Sequence, residues 1–387
     1  MRVLLDGRIV LPRMTGAGRY VLEIGARMPA LDPDVQLEIV LSPALRGTGA
    51  ARTLAAAGAR LWYSEARVAS LHQWLAVPRL LHGVRPDLYH YPFLDLPYVQ
   101  CPSVVTIYDL NPVSDRAYFA HWSAVKRLIA RRLLRSSLRR CRVAVTISET
   151  TRRLLEAQFA EARGKTRTIP LALGSSLLVP GSRVAAAGNG GYSRGGERWD
   201  ARPYILYVGV DKPHKNLVRL VRAFALFRDA EGWATGLGPY LWLAGVGDGS
   251  AALRAVLAES ACGTDVRVSG DASEESVAAA YRGATIVAYV STSEGFGLPI
   301  LEGFAAGVPV LTGNVSSMPE VGGDAALYVS PEDSGAIAAG LKRLWLDGRL
   351  RQRLVASGTR RLRDFSWDAT ARATLAAYRD ALQSAPA

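Results

Sequence analysis

The chain has 387 residues, 49% of them hydrophobic and 21% charged, and carries a formal net charge of +13. That length exceeds one ordinary domain and that apolar content excludes disorder, so two folded domains are expected. The three cysteines, Cys101, Cys141 and Cys262, are too few and too scattered for a disulfide framework or a paired zinc knuckle, and read as buried free thiols.

No apolar run approaches the roughly 18 residues of a membrane span, and Asp6 and Arg8 interrupt the opening segment where a signal-peptide core is continuous. A cytoplasmic protein, with any membrane contact peripheral, is the expectation. The charge is lopsided. Residues 1–165 hold 24 Lys+Arg and 13 Asp+Glu, or +11, and the remainder hold 23 and 21, or +2. Such an imbalance points to an anionic partner surface, nucleic acid or acidic lipid, or to solubility alone.

A short apolar strand at Val3–Leu5 opens the chain and runs through a loop bearing Gly16 and Gly18 into a helix near Arg19. Leu37–Leu41 follows the turn residues Asp32, Pro33 and Asp34; Leu88–His90 and the β-branched Ser103–Ile107 read as further strands. Val143–Ile147 is another, with Ser148 placed to cap a helix from Glu149. Between Leu173 and Arg202 the periodicity lapses into Ser, Gly, Arg and Pro. A second series follows at Tyr204–Val208, Tyr240–Ala244, Asp265–Val268, Thr285–Val290, Val308–Leu311 and Ala326–Val329. Strands alternating with helices predict parallel sheets. The expected class is α/β: two doubly wound Rossmann-like domains facing a cleft, at residues 1–170 and 203–365, joined by a linker or mobile loop at 171–202. In such sheets ligands sit beyond the carboxyl ends of the strands, which makes the loops after each strand the candidate sites.

The run Ser293-Glu-Gly-Phe-Gly-Leu-Pro-Ile-Leu-Glu302 follows the strand ending at Val290. Gly295 and Gly297 let backbone approach a ligand, Pro299 suits the first position of a helix, and the helix N-terminus offers N–H groups to a phosphate. Glu302 then falls in the first turn, where the helix dipole favours a carboxylate irrespective of function. Glu294 has no cap to make, and is either a surface acid or an acceptor for sugar hydroxyls. The run Gly209-Val-Asp-Lys-Pro-His-Lys-Asn216 follows the strand ending at Val208, with Asn216 placed to cap the next helix. Lys212, His214 and Lys215 crowd positive charge at a helix N-terminus, an unfavourable arrangement that a bound anion reverses.

These runs resemble the retaining, sugar-nucleotide-dependent glycosyltransferases of family four, which have the GT-B fold. Glu294-Gly-Phe-Gly-Leu-Pro-x-x-Glu302 is similar to that family's two glutamates separated by seven residues. Gly209 with Lys215-Asn216, Tyr281-Arg-Gly-Ala284, Gly307-Val-Pro-Val310, Ser316-Ser-Met-Pro-Glu-Val-Gly322 and Phe365-Ser-Trp367 complete the likeness. Thr15-Gly-Ala-Gly-Arg-Tyr20, His90-Tyr-Pro92 and Val105-Thr-Ile-Tyr-Asp-Leu110 extend it through the N-terminal half.

The resemblance implies that Glu294 holds hydroxyls of the donor sugar, Glu302 the ribose, and the backbone of Gly295, Phe296, Gly297 and Leu298 the sugar and diphosphate. It implies that Lys215 neutralises the diphosphate, with Gly16 closing on it from the first domain, and that Asp109 stands on the acceptor side. Relatives carry an Arg where this chain has His214 or Val210, which leaves Lys212 to supply a second charge. They carry a His where this chain has Tyr108, so no histidine role transfers. The implied reaction is retaining, metal-independent transfer of a hexose, with a lean to mannose, from a nucleoside-diphosphate sugar to a hydroxyl of a glycan or lipid-linked acceptor. The sugar nucleotide is a co-substrate and no cofactor is implied. The amphipathic segment within residues 366–387 is implied to be a terminal helix that crosses back to the first domain.

Competing signals are weaker. Gly16-Ala-Gly18 starts a dinucleotide fingerprint whose third glycine position falls at Val21. Asp32-Pro-Asp34 has the Asp-x-Asp form of metal-dependent transferases but the composition of a turn, and the five histidines show no metal-ligand spacing, so no metal is expected. The segment Lys126–Arg142 holds eight Lys or Arg and no acid, with Leu128, Ile129, Leu133, Leu134 and Leu138 at helical spacing on one face. It is either a helix packed on its own sheet with a solvated cationic face or a surface for anionic lipid. No aromatic residues interleave for base stacking, and nucleic acid is not expected as a partner. A sugar-nucleotide epimerase of similar fold needs further acid and base groups, which do not stand out. A basic scaffold or nucleic-acid-binding protein of this fold, without transferase activity, has no need of Glu294, Glu302 and Lys215.

Overall fold

The computed structural model describes residues 1–11, 15–111, 124–174, 202–260, 262–270 and 273–384, so the expected linker lies almost wholly outside the described residues. The chain divides into two compact units, Met1–Ala172 with Phe365–Ala387, and Leu173–Asp364.

The first unit contains β1 (Arg2–Asp6), β2 (Gln36–Leu41), β3 (Arg60–Tyr63), β4 (Leu88–Tyr91), β5 (Ser103–Ile107), β6 (Val143–Thr146) and β7 (Thr166–Thr168). They form one sheet in the order β3-β2-β1-β4-β5-β6-β7, parallel at every pairing. β4, β5 and β6 are buried along their whole length, as strands covered on both faces must be. The second unit contains β8 (Tyr204–Val208), β9 (Tyr240–Ala244), β10 (Val266–Ser269), β11 (Ile286–Tyr289), β12 (Val310–Gly313) and β13 (Ala326–Val329), in the order β10-β9-β8-β11-β12-β13, again all parallel. Each unit is therefore doubly wound, with its strand order reversing between β1 and β4 and between β8 and β11.

Local signals explain the helix starts. Thr15 Oγ1 accepts from the Gly18 N–H at 3.1 Å to open helix Gly16–Leu31, and Ser148 Oγ accepts from the Thr151 N–H at 3.1 Å to open Glu149–Gln158. Asp32-Pro-Asp34 makes a turn, its Asp32 carbonyl accepting from the Val35 N–H at 3.0 Å. Cys141 and Cys262 are buried thiols and Cys101 is partly buried.

Helix Trp367–Gln383 packs on helix Gly16–Leu31 in the first unit through a buried polar seam. His90 Nδ1 lies 2.8 Å from Tyr378 Oη and its Nε2 lies 2.8 Å from Thr106 Oγ1. Tyr20 Oη stands 3.4 Å from Thr374 Oγ1, and Thr370 Oγ1 donates to the Pro170 carbonyl at 2.8 Å. Burial pushes the His90 imidazole down from 6.5 to about 3. His90 is thus neutral in the folded protein and takes a proton below pH 6.5 only when the chain unfolds. Its contribution to stability is complete above pH 6.5 and is lost as the pH falls towards 3. Urea unfolding followed across that window is expected to show a steeper loss of stability for the wild type than for His90→Gln; equal slopes contradict the buried neutral imidazole.

Candidate functional site

The reversal point of the second sheet brings together the loops that leave β8 and β11. Gly209 has φ 148°, and a Cβ there would stand 2.7 Å from Tyr207 Oη, so the chain turns out of β8 only without a side chain. Pro213–Lys215 then form a single 3₁₀ turn, and Asn216 follows in the left-handed region with φ 63°. The expected capping role of Asn216 is not met. From that conformation its Nδ2 reaches across the loop, donating to the Val290 carbonyl at 2.9 Å and the Pro331 carbonyl at 2.7 Å. The Thr292 N–H donates to the His214 carbonyl at 2.8 Å. The two loops are thereby tied together.

That tie sets Lys215 against Glu294, with Nζ 2.7 Å from Oε1. Nζ also donates to Tyr289 Oη at 3.0 Å and stands 5.1 Å from the centre of that ring. Burial pushes the Glu294 carboxyl up, but the charges of Lys215 and His214 and the hydrogen bond from Lys215 outweigh it and hold the group below the usual carboxylate range. Burial, and next the Glu294 charge, hold the phenols of Tyr207 and Tyr289 well above their ordinary value. Both are neutral hydrogen-bonding groups at the carboxyl ends of adjacent strands.

Two serines shape the Glu294 loop. The Glu294 N–H donates to Ser316 Oγ at 3.1 Å, and Ser316 Oγ donates back to the Glu294 carbonyl at 2.7 Å. Ser317 Oγ lies 2.9 Å from the Glu294 carbonyl and 2.7 Å from that of Phe296. Gly297, with φ 120°, then leads into helix Leu298–Ala305, with Pro299 in its opening turn as expected. The placement of Glu302 is a correction. It is the fifth residue of that helix, outside the first turn, so the dipole does not account for it. Its Oε2 accepts from Tyr281 Oη at 2.6 Å, and Tyr281 is buried in helix Glu274–Gly283.

Lys215, Glu294, Gly295, Phe296, Gly297, Leu298 and Glu302 are thus gathered at one edge of the second sheet. Lys212 is exposed, and it is Lys215 that meets Glu294. Gly16 and Asp109 belong to the first unit, where Asp109 Oδ1 accepts from the Asn111 N–H at 2.9 Å. Gly16 and Gly18 lie in the first turn of helix Gly16–Leu31 and not in the expected loop, and Tyr108 Oη donates to the Ala17 carbonyl at 3.5 Å, so that turn meets the loop carrying Asp109 at the carboxyl edge of the first sheet. Sequence reasoning missed Tyr207, Tyr289 and Tyr281 as supports of the charged groups; for Tyr207 and Tyr289 the available signal was a tyrosine recurring where a strand runs out, whereas Tyr281 lies in a helix and had no such signal. Among the described residues no group of three or more His, Cys, Asp or Glu is arranged to hold a metal ion, and no helix is long and apolar enough to cross a membrane.

Two family models match the chain, Glycosyltransferase Family 4 over residues 14–173 and Glycosyl transferases group 1 over residues 194–361. O-antigen chain mannosyltransferase B of Escherichia coli is 27% identical over 300 residues, covering 77% of this chain and 76% of its own length. Among solved structures, sucrose-phosphate synthase from Thermosynechococcus elongatus superposes with a TM-score of 0.74 at 19% identity, covering 98% of each chain. Anabaena HepE in complex with UDP and glucose superposes at 0.68 and 16% identity, covering 98% of this chain and 99% of its own. The fold is that of the GT-B glycosyltransferases, two Rossmann-like domains each built on a parallel sheet. The chain belongs to family four of the glycosyltransferases.

Lys215→Met is expected to move the Glu294 carboxyl from below to above the usual carboxylate range, because burial then acts without its main opposing charge. Carbon-13 NMR titration of labelled glutamate side chains reads the shift, and an unmoved titration contradicts the pairing.

Proposed function

We propose that this glycosyltransferase carries out retaining, metal-independent transfer of a hexose, mannose by preference, from a nucleoside-diphosphate sugar to a hydroxyl of a glycan or lipid-linked acceptor. The observation that carries the proposal is the Lys215–Glu294 pair, a partly buried cation and an ionised carboxylate set at the reversal point of the second sheet. The relationship to an O-antigen chain mannosyltransferase supports the sugar, and UDP with glucose in the HepE structure supports a nucleotide-linked donor.

Cleavage of the bond between the anomeric carbon and the diphosphate builds negative charge on the leaving group, and the largest requirement is to stabilise that charge as it develops. Lys215 supplies a fixed cation, the backbone from Gly295 to Leu298 supplies N–H groups at the positive end of a helix, and the exposed Lys212 adds a second charge. Glu294, ionised, accepts from hydroxyls of the donor sugar. Glu302, steadied by Tyr281, accepts from the ribose. Asp109, on the first unit, serves the acceptor. The acceptor hydroxyl attacks on the face that the diphosphate leaves, and a departing phosphate oxygen takes its proton. No side chain is assigned as nucleophile.

Lys215→Ala is expected to weaken sugar-nucleotide binding in calorimetry roughly 10- to 100-fold, the worth of a charge-assisted hydrogen bond; unchanged affinity sinks the assignment. Glu294→Gln is expected to cut transfer sharply to a low, measurable rate yet bind the bare nucleoside diphosphate as tightly or more tightly, since Glu294 and the diphosphate compete for one ammonium. A panel of UDP, GDP and ADP sugars, screened by thermal shift and then by turnover, is expected to give transfer from a mannosyl conjugate with the anomeric configuration kept. Transfer from another hexosyl donor alone overturns the sugar, and an inverted product overturns the retaining mechanism.

A further inference from the structure

Ser291 lies just beyond the carboxyl end of β11, in the loop that leads to Glu294. Its backbone is held from three sides. The Val290 carbonyl before it accepts from Asn216 Nδ2 at 2.9 Å, and the Thr292 N–H after it donates to the His214 carbonyl at 2.8 Å. Its own carbonyl faces Gly313 at the end of β12, where a Cβ would stand 3.0 Å away. The residue is 0% exposed. With the backbone fixed, what can still respond to a ligand is the side-chain hydroxyl, whose proton turns to suit a partner.

Ser291 Oγ finds no hydrogen-bond partner among the described residues. Buried hydroxyls are nearly always bonded, because leaving one bare in the interior is destabilising. Burial pushes the Glu294 carboxyl and the Tyr289 phenol up, and Ser291 is among the groups that pull each back down, so its hydroxyl lies close to both without forming a bond of good geometry to either. Both neighbours are engaged with Lys215, whose Nζ reaches Glu294 Oε1 at 2.7 Å and Tyr289 Oη at 3.0 Å. The hydroxyl therefore belongs to the Lys215–Glu294 cluster and is unused while that pair is closed.

We propose that Ser291 is a positioning residue: when a nucleoside diphosphate draws the Lys215 ammonium away, the Ser291 hydroxyl donates to the Glu294 carboxylate in its place. This rests on the donor reading given above, in which Lys215 meets the diphosphate and Glu294 the sugar, so that the pair must part for both roles to be filled. A carboxylate left in a buried site without its cation is destabilised. A hydroxyl already beside it offsets part of that loss with no movement of the backbone, and keeps the carboxylate ionised and aimed at the sugar. The bond that Ser291 lacks in the unliganded protein is thus recovered in the donor complex.

Calorimetry of the full chain with UDP, GDP and ADP reads this role without turnover. Ser291→Ala is expected to weaken binding of the nucleoside diphosphate about tenfold, as loss of a hydrogen bond to a charged group does. In the Glu294→Gln background, where no carboxylate needs a partner, the same change is expected to have no effect, a pattern that a packing role does not produce. Without ligand, Ser291→Ala is expected to melt at or above the wild-type temperature, because it removes an unbonded buried hydroxyl. Ser103 Oγ, likewise buried and unbonded but at the start of β5 in the first unit, is the control, and Ser103→Ala leaves the affinity unchanged. A Ser291→Ala protein that binds like the wild type, loses as much affinity in the Glu294→Gln background, or melts lower without ligand overturns the assignment and leaves the donor reading standing. A wild type that binds none of the three nucleoside diphosphates overturns the donor reading and, with it, this role of Ser291.

Discussion

An ion pair drawn partly out of water survives only where its geometry is held and its remaining hydrogen-bonding capacity is met, because desolvation of two charges rivals their attraction. Lys215 and Glu294 meet that constraint, and the second unit is arranged around it. Asn216 gives up its cap to join the loops after β8 and β11. Tyr289 takes a second bond from the ammonium, and Ser316 and Ser317 fix the backbone from which the carboxylate projects. Removing either partner leaves the other charge partly desolvated without its counter-ion, which is destabilising. Under the proposed function, a site held this firmly would place its groups before the sugar nucleotide arrives, as stabilising a developing charge requires.

The first unit has a buried pair of a different kind. Arg8 meets Asp6 through Nε at 2.9 and 3.0 Å, donates through Nη1 to the Ala66 carbonyl at 3.0 Å, and shares the carboxylate with the Tyr89 phenol. Its charges are enclosed by interior partners, so it fixes the chain where β1 ends. The seam of His90, Tyr378, Tyr20 and Thr374 likewise locks helix Trp367–Gln383 onto the sheet. Both features fix the frame of the first unit, which carries the helix turn at Gly16 and the loop at Asp109.

Buried strands were legible because an apolar, β-branched run has few alternatives: Ser103–Ile107, Tyr204–Val208 and Tyr240–Ala244 form as read. β3 and β7 were not, being short edge strands with mixed burial and no apolar run to mark them. At the site, residue identity and order revealed Lys215, Glu294 and Glu302, but not what holds them. The left-handed turn at Asn216 depends on carbonyls 74 and 115 residues away, and the Tyr281–Glu302 bond on two helices meeting. The same limit applies to Leu128 and Ile129. Helical spacing places them with Leu134 and Leu138, and only the packing of the helix on its sheet separates the two faces.

If Lys215 and Glu294 work as one device, their contributions to catalysis are not independent. A double-mutant cycle on kcat/KM for the donor, with Lys215→Met, Glu294→Gln and both together, measures this most directly. A coupling of at least about 1.4 kcal/mol, a tenfold departure from additivity, is the predicted result. Additive losses would show two residues acting separately and contradict the account.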